Sequence, residues 1–531
     1  EKVARRLLGL ARVGRTEKRA DAAAIDDLVD TIRSGAFEER QAAILSLASA
    51  HGSHGAARLA EYLGDDNAPD MRVKAVHALI EMGGDAFWPV AQSTRSTSVL
   101  TRRDAVAVLG LSMDSRGPAF LAAVTESESD PVTRQAASNA LARMGGGSAG
   151  TLLVAFGDGL LRRDPAHLRP FDVDGVIWKW EDDALFAVPV PAALYAIEAA
   201  KIAFDRALIL DSEDQAAAAG LVRSYAAGLA ETRWMDNPGS LVTLGVGLRA
   251  SGPALLDAAL AGALADGDAG ASVEILDAAT DAGTPLTGIS NALGHADRRI
   301  RVAAALAAAG TGVVDSRVLG TLAQVVADRS VLLVQVIDAD AVRRGSTLAA
   351  LDTPAVYAVA ESDGASGLAR LHRFPGVDLV VVTDNQGSLT TDQVIDDIRS
   401  DDRIGDVPVL LLAGSTDEAD DLWGDKVSAV AATATAATIG DMLGGRLDAN
   451  RTQADRLSAR AASALLSLAW NGEDVTGALP ALARAAADRT DLVAIPALEV
   501  LAGFGHPEHM AHLGSVLLDS GRSVAVRVAA A

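Results

Sequence analysis

The chain has 531 residues, a net charge of −23, 4% aromatic residues and no cysteine. Without cysteine it can form no disulfide, thiolate zinc site, cysteine nucleophile or iron–sulfur cluster, and a chain this acidic is repelled by nucleic-acid backbones. Its 49% apolar residues, mostly alanine and leucine, suffice for large cores in several domains and favour closely packed helices.

The first 20 residues, EKVARRLLGLARVGRTEKRA, differ from the rest because they are basic. They carry seven Lys or Arg and two Glu, a net charge of +5, and their leucines would form an apolar stripe on one helix. Two interpretations stay open: a capping helix of the first repeat, or a helix that docks on an acidic protein or a membrane surface. We expect membrane contact from no other part of the chain.

A repeat of about 30 residues runs through residues 1–150. Its arginines are spaced 32, 30 and 32 residues apart, and each precedes a leucine by seven residues: Arg40, Arg72, Arg102 and Arg134, with Leu47, Leu79, Leu109 and Leu141. Alanine and branched residues recur between them at helical spacing, which predicts one buried stripe per unit. Each unit is therefore interpreted as a helix pair that stacks on its neighbours.

These units resemble HEAT repeats of the bilin-lyase-like type, whose second helix reads D-x-x-V-R-x-x-A-x-x-A-L-x-x-x-G. The resemblance rests on DMRVKAVHALIEMG from Asp70, DPVTRQAASNALARMG from Asp130 and DRRIRVAAALAAAG from Asp297. Looser copies extend it over 238–325 and 448–531. It implies a mostly α fold, an α-solenoid with a concave binding surface, and it says little about function.

Residues 151–237 break the repeat. An irregular, proline-containing stretch holds Trp178 and Trp180, which lie on one face if the backbone is extended. These tryptophans either anchor a protein partner or are buried where the repeats meet this segment. The residues that follow, from Tyr195, resemble a tetratricopeptide-type helix pair through the small and apolar residues around Phe204.

Strand-like and helix-like segments alternate from residue 326 to residue 447. The apolar runs SVLLVQVID, PAVYAVA, VDLVVVT, VPVLLLAG and KVSAVAA are separated by helix-like stretches such as AVRRGSTLAAL and TTDQVIDDIRS. This alternation predicts a parallel sheet with helices on both faces. We expect an α/β domain inserted into the helical repeats.

The order and spacing of these segments resemble the receiver domain of bacterial response regulators, a flavodoxin-like fold. VQVIDADAVRR resembles the first strand with its acidic pair, and GVDLVVVTDNQG resembles the phosphoacceptor strand. The resemblance implies that a working member uses two acids to hold Mg²⁺, an aspartate acceptor, a hydroxyl group and a lysine.

Most of these positions carry other residue types here. Asp338 matches one member of the acidic pair, and the acceptor, hydroxyl and lysine positions fall on Thr383, Ala413 and Ala432. We therefore predict a pseudo-receiver that accepts no phosphoryl group. The alternative is a strand bulge that turns Asp384 inward beside Asp338 and Asp340, where the three acids would bind a divalent cation.

The sequence contains no P-loop and no G-x-S-x-G nucleophile elbow, so we expect no enzymatic activity and no cofactor or metal. The favoured function is a non-catalytic scaffold that binds a protein partner or further copies of itself. We expect it in a bacterial cytoplasm, or in the periplasm if an export signal precedes Glu1.

Three alternatives from other classes stay open. The first is a signalling protein whose receiver-like domain still binds a divalent cation or phosphate at Asp384. The second, an accessory of the bilin-lyase type, would need pigment-binding residues, and none stands out. The third, a HEAT-type nucleic-acid enzyme, conflicts with the negative charge.

Overall fold

A computed structural model describes residues 19–168, 175–235, 238–329, 331–353, 356–384, 386–431 and 446–531. The predicted basic segment, apart from its last two residues, and the lysine position at Ala432 lie outside these ranges. The chain divides into two compact units, residues 1–228 and 229–531. Both are mostly helical, and the second also contains a small parallel sheet, so the predicted mostly α class is confirmed.

Up to residue 232 the structure consists of helices and one β-hairpin. The helices are α1 Ala22–Ser34, α2 Phe37–Ser46, α3 Ser53–Ala60, α4 Pro69–Met82, α5 Phe87–Ser93, α6 Val99–Ser112, α7 Gly117–Ser127, α8 Pro131–Arg143, α9 Ala149–Leu161, α10 Ala192–Leu210 and α11 Gln215–Thr232. The hairpin strands are β1 Val176–Glu181 and β2 Ala184–Pro189. A π-helical turn, Leu47–His51, and a 3₁₀ turn, Gly83–Ala86, connect α2 to α3 and α4 to α5.

In the first unit the helices up to α9 pack on the next helix but one. The odd-numbered helices α1, α3, α5, α7 and α9 contact one another in succession, and so do α2, α4, α6 and α8. The leucines predicted to be buried lie in the core of this unit: Leu47, Leu79, Leu109 and Leu141. Two helical layers result, because no single helix pair could bury its own apolar stripe.

The repeated arginine makes the same contact in several repeats of both units. A backbone carbonyl five or six residues earlier accepts a hydrogen bond from the guanidinium of each of Arg40, Arg102, Arg134 and Arg301. The side chain thereby ties the turn before the second helix to that helix's first turn. Arg72 and Arg102 also form two-point ion pairs with an acid of the following repeat, Asp104 and Glu128.

The β-hairpin turns through Asp182 and Asp183, whose φ angles are 48° and 60°. Two positive φ values in succession match the right-handed twist of the strands, although Asn-Gly is the usual sequence. The Asp183 carboxylate accepts hydrogen bonds from the backbone and hydroxyl groups of Thr97 and from the hydroxyl of Ser96. These bonds lower the pKa of Asp183 and fix the hairpin tip against the turn before α6.

Phe204 of α10 lies against two helices that each present a glycine to its ring. The ring is fully buried. A Cβ atom added to Gly157 of α9 would lie 2.5 Å from the ring, and one added to Gly220 of α11 would lie 2.3 Å from it. The close packing of these three helices therefore depends on the missing side chains.

Replacement of Gly220 by alanine is expected to destabilise the first unit by about 1–3 kcal/mol, because the new methyl group must displace the Phe204 ring. Denaturant unfolding followed by circular dichroism measures the change. Gly320 is a matched control, since it also lies within a helix, Ser316–Ala327, and nothing lies within 4 Å of its added Cβ. Equal destabilisation by both substitutions would contradict the packing argument.

From residue 238 the elements are helices and five further strands. The helices are α12 Pro238–Ala250, α13 Pro253–Ala265, α14 Ala269–Asp281, α15 Ile289–Leu293, α16 Arg298–Gly310, α17 Ser316–Ala327, α18 Ala341–Leu351, α19 Gly364–Arg373, α20 Thr391–Ser400, α21 Thr416–Trp423, α22 Arg446–Trp470, α23 Leu479–Asp488, α24 Asp491–Phe504, α25 Met510–Leu518 and α26 Val524–Ala529. The strands are β3 Leu332–Ile337, β4 Val356–Glu361, β5 Leu379–Thr383, β6 Val409–Ala413 and β7 Ser428–Ala431. Two 3₁₀ turns, Thr476–Ala478 and Pro507–His509, precede α23 and α25.

The helices on either side of the strand-containing segment pack directly on each other. Helix α16 contacts α14 before it and α22 after it, and α17 contacts both α22 and α23. At this junction the Ser458 hydroxyl donates to the Val325 carbonyl at 2.9 Å, and Arg489 donates to the Val326 carbonyl at 3.1 Å. Residues 331–431 are thus an insertion between helices that stack across it.

The five strands of the insertion form one parallel sheet in the order β4-β3-β5-β6-β7. Each of the five predicted apolar runs coincides with one of these strands to within a few residues, and each predicted helix between them is present. The three interior strands β3, β5 and β6 are almost entirely buried, as a sheet covered on both faces requires.

Alternate residues of the strands belong to two separate apolar cores. Ile337, Val380 and Val382 face a core completed by residues of α19, α20 and α21. Val334, Val336 and Val381 face the opposite core, which includes Leu351 of α18. The period of two in the strands therefore places helices on both faces of the sheet.

Candidate functional site

The carboxyl ends of β3 and β5 carry the polar residues of the candidate site. These strands are adjacent, and the strands that follow each of them lie on opposite sides, so a crevice forms beyond their ends. Asp338 directly follows β3, Thr383 is the last residue of β5, and Asp384 follows it. Thr383 faces Asp338, as the register deduced from the sequence predicts, and its hydroxyl donates to Asp338 Oδ1 at 3.2 Å.

Asp338 is completely buried, and its carboxylate is saturated with hydrogen bonds. Oδ2 accepts from Arg343 Nε at 2.8 Å. Oδ1 accepts from Arg343 Nη2 at 3.0 Å and from the backbone N–H of Asp340 at 2.9 Å, besides the bond from Thr383. These four bonds, three on Oδ1 and one on Oδ2, match in number the about four acceptor sites of a carboxylate.

Arg343 joins the two strand ends. Besides its two-point pair with Asp338, it approaches Asp384 with Nη1 3.3 Å from Oδ1. Hydrogen bonding to Asp338 raises the pKa of Arg343, and the planar guanidinium suits two-point binding of a carboxylate. A permanent positive charge therefore lies between Asp338 and Asp384.

Asp384 does not share the buried position of Thr383. About half of its side chain, 49%, is exposed, and its Oδ2 lies 3.5 Å from a Cβ atom built on Gly414, the residue after β6. Its link to Asp338 runs through Arg343. The two acids therefore do not form the inward-facing pair that the alternative interpretation requires.

Asp340 has a helix-capping role. Its Oδ1 accepts hydrogen bonds from the backbone N–H groups of Arg343 and Val342, at 3.0 and 2.8 Å. These bonds lower the pKa of Asp340 and stabilise the first turn of α18. The cap also holds Arg343 at the third position of that helix, directly over the end of β3.

At the hydroxyl position assigned from the receiver resemblance, and at the lysine nearest to the last strand, the functional groups do not reach the strand ends. Ala413 ends β6 without a hydroxyl group, and Ser415, two residues on, accepts from the Glu418 backbone N–H as the cap of α21. Lys426 pairs with Asp396 of α20, with Nζ 2.7 Å from Oδ1. Neither Ser415 nor Lys426 contacts Asp338 or Asp384 in the part of the chain that the structure describes.

These residues do not fit the Mg²⁺ that the receiver resemblance implies. A divalent ion needs several free carboxylate or carbonyl oxygens, whereas Arg343 occupies the Asp338 carboxylate and Asp340 caps a helix. Within the described ranges, no group of three or more His, Cys, Asp or Glu side chains is arranged to hold a metal ion. In this site the guanidinium of Arg343, a cation of the protein itself, binds the carboxylates of Asp338 and Asp384.

The sequence reasoning did not assign Arg343 to the site. The signal lies in three residues close together in the sequence. Asp338 ends a strand, the capping acid Asp340 follows two residues later, and Arg343 follows three residues after that cap. That spacing points the guanidinium back at the strand end, because helical side chains lean toward the amino terminus. Its second contact, with Asp384, depends on the pairing of β3 with β5 and has no local signal.

The two tryptophans proposed as partner anchors differ in exposure. Trp178 is buried in the core of the first unit, with its ring 5.4 Å from that of His54 in an edge-to-face arrangement. Trp180 is half-buried and hydrogen-bonds to Asp183 at the hairpin tip. Trp178 is thus a core residue, as one of the two interpretations requires, and a partner contact stays a prediction for Trp180.

A groove with a volume of about 600 Å³ lies where the helices before and after the insertion meet. Its walls include Leu306 of α16 and Leu492 of α24, with small residues between them. Arg456 and Arg460 of α22 supply positive charge, and Arg460 pairs with Asp277 at 3.0 Å.

Comparison of the sequence with protein-family models and with curated proteins gives no match. Within the described residues, no helix is both long enough and apolar enough to cross a membrane.

Proposed function

We propose that this chain is a non-catalytic scaffold for protein assembly, built on HEAT-like repeats that form an α-solenoid. The packing of helices on the next but one supports the proposal: it runs from α1 to α9 in the first unit and recurs in the second unit among α12, α14 and α16 and among α22, α24 and α26. The recurring bond from the repeat arginine to the preceding turn supports it too. Repeats of this kind build extended concave surfaces, and we take the groove between α16 and α24 as part of one. The expected ligand of that surface is a protein or another copy of the chain.

The insertion is proposed to be a receiver-like domain that has lost phosphotransfer. Its strand order, 2-1-3-4-5 within the domain, is that of flavodoxin-like sheets, which supports the resemblance. One observation carries the loss of chemistry: the Arg343 guanidinium binds both Asp338 and Asp384. The fixed positive charge of Arg343 lies where a working phosphorylation site would hold an exchangeable metal ion and phosphoryl group. This domain therefore serves as a binding module.

Incubation of the full chain with Mg²⁺ and acetyl phosphate is expected to give no phosphoryl adduct in intact-mass spectra. The reason is that Thr383 occupies the acceptor position and Arg343 the cation position. A working response regulator, treated in parallel, verifies the reagent. An adduct on the wild-type chain that is lost in Asp384→Asn would instead support the alternative, a signalling protein phosphorylated at Asp384.

The scaffold itself is tested by native mass. Light scattering on the purified chain, followed by affinity capture from the source cells in low salt, should reveal an oligomer or a protein partner in fixed stoichiometry. The concave groove gives the matched variants: Leu492→Glu should weaken that association, whereas Arg484→Glu, on an exposed position of α23, should not. A monomer that captures no stoichiometric partner would contradict the proposal.

A further inference from the structure

Strand β4 is the outer strand of the parallel sheet, and one of its two sides carries no neighbouring strand. Among the described strands it pairs with β3 alone. Five of its six residues are half-buried and Tyr357 is 60% exposed, whereas five of the six residues of β3 are buried. The side of β4 that faces away from β3 is therefore an accessible strand edge.

Backbone groups of alternate residues point to this free edge. The Glu361 carbonyl accepts a hydrogen bond from the backbone N–H of Asp338 at 3.2 Å, so the odd-numbered residues of β4 direct their N–H and C=O groups at β3. Those of Ala358 and Ala360 therefore point away from β3, where no described strand binds them. Two donors and two acceptors are presented in the pattern that a further strand satisfies.

The features that usually prevent pairing at a strand edge do not occur in β4. Soluble proteins protect such edges with lysine, proline or a β-bulge. The sequence of β4, VYAVAE, contains no lysine and no proline, and its register with β3 is uninterrupted from Leu332–Val356 to Ile337–Glu361. Its only charge, on Glu361, lies 3.7 Å from Arg370 of α19. The edge is therefore open to a second strand.

We propose that β4 pairs with β4 of a second copy of this chain, in antiparallel orientation, about a two-fold axis at Val359. In this register Ala358 of each copy lies opposite Ala360 of the other. Each of these two pairs exchanges both of its N–H···O=C bonds, so the four backbone groups that each copy directs outward are all satisfied. The two five-stranded sheets then form one continuous sheet, joined by the same surface on both copies.

The side chains of β4 fit this self-pairing. Ala358 and Ala360 pack toward the core on the α18 side, so Tyr357, Val359 and Glu361 lie on the α19 side. The two-fold axis places Val359 opposite its own copy, a favourable β-branched pair, and Tyr357 opposite Glu361 of the second copy. The phenol hydroxyl can donate to that carboxylate, and no two like charges face each other. This match is what favours a second copy over an unrelated strand.

The pairing deepens the proposed scaffold function, because it names a second copy as one partner, but it uses no residue of the groove between α16 and α24. A pair of six-residue strands is smaller than a standard interface. We therefore expect a reversible dimer whose fraction rises with protein concentration.

A single introduced cysteine tests the register, because the full chain has none of its own. In Val359→Cys the two Cα atoms would lie about 4.5 Å apart, within the range that a disulfide spans. Tyr357→Cys is the matched control: it lies on the same face of the strand and is more exposed, but its two copies would be about 13 Å apart. Under mild oxidation with glutathione disulfide, Val359→Cys should give at least about tenfold more covalent dimer than Tyr357→Cys. Equal yields, or no dimer from Val359→Cys, would overturn the proposal.

Light scattering on two lysine variants tests the same register without a crosslink. In Val359→Lys two like charges meet at the axis, so the rise of mass with concentration should be lost. In Tyr357→Lys the new charge faces Glu361 of the second copy, so the rise should be retained. Circular dichroism verifies that both variants are folded. A dimer retained in Val359→Lys, or lost equally in both variants, would overturn the proposed pairing.

The groove variant Leu492→Glu separates failure of this pairing from failure of the scaffold. A dimer that Leu492→Glu leaves intact and Val359→Lys dissociates supports the pairing at β4. A dimer with the opposite behaviour would overturn the pairing and leave the scaffold standing. A monomeric wild type that binds a strand of another protein, with binding lost in Val359→Lys, would overturn the second copy as the occupant of this edge.

Discussion

Replacement of Arg343 by methionine is expected to destabilise the parallel-sheet insertion by about 3–5 kcal/mol, because it leaves the Asp338 carboxylate charged, buried and unpaired. Methionine retains the apolar stem of the arginine, so the change isolates the charge. Asp338 has no solvent contact in which to recover its hydration. Hydrogen exchange of residues 332–337 and 379–383, with denaturant unfolding, measures the loss.

The effect should depend on Asp338. Asp338→Asn in the same chain should restore most of the stability, and the double-mutant cycle then gives the coupling of the pair. Arg373→Met, at an exposed position of α19, is the control and should change stability by less than about 0.5 kcal/mol.

A loss in Arg343→Met that Asp338→Asn does not repair would contradict this account of the site. The internal cation would then have a packing role alone. The proposed loss of phosphotransfer would lose its main support, since Arg343 is what occupies the carboxylates.

Replacement of Arg489 by methionine is expected to destabilise the second unit by about 3–5 kcal/mol, for a related reason at the helical junction. Arg489 Nη2 lies 2.6 Å from Asp455 Oδ1, and both residues are buried. Nη1 donates to the carbonyls of Val326 and Asp328, which end α17. One side chain thus connects the helix before the insertion to the helices after it.

Hydrogen exchange across α17 and α22 is the direct measurement. Both helices should lose protection together in Arg489→Met, because the arginine serves both sides of the junction. Arg484→Met provides a matched control on the preceding helix α23, at an exposed position. Faster exchange in α22 alone would show that Arg489 supports only the helices after the insertion.

Arg343 and Arg489 have the same physical role at different places. Each is a guanidinium that satisfies a buried carboxylate and at the same time joins segments distant in sequence.

The sequence by itself determined the elements. Helical spacing between each repeat arginine and its leucine predicted buried stripes, and Leu47 and Leu79 are fully buried. Alternating runs predicted the five strands, and counting along the segment predicted Thr383 rather than Asp384 beside Asp338. These features follow from the pattern of residues along a short stretch of the chain, and that pattern does not depend on distant segments.

Only the tertiary structure decided how those elements combine. Three features depend on segments far apart in the chain. Helix α17 stacks on α22 across a hundred-residue insertion, Arg343 reaches Asp384, and Gly157 and Gly220 enclose Phe204. Pairing and burial of charges are set by three-dimensional packing, and no spacing along the sequence encodes them.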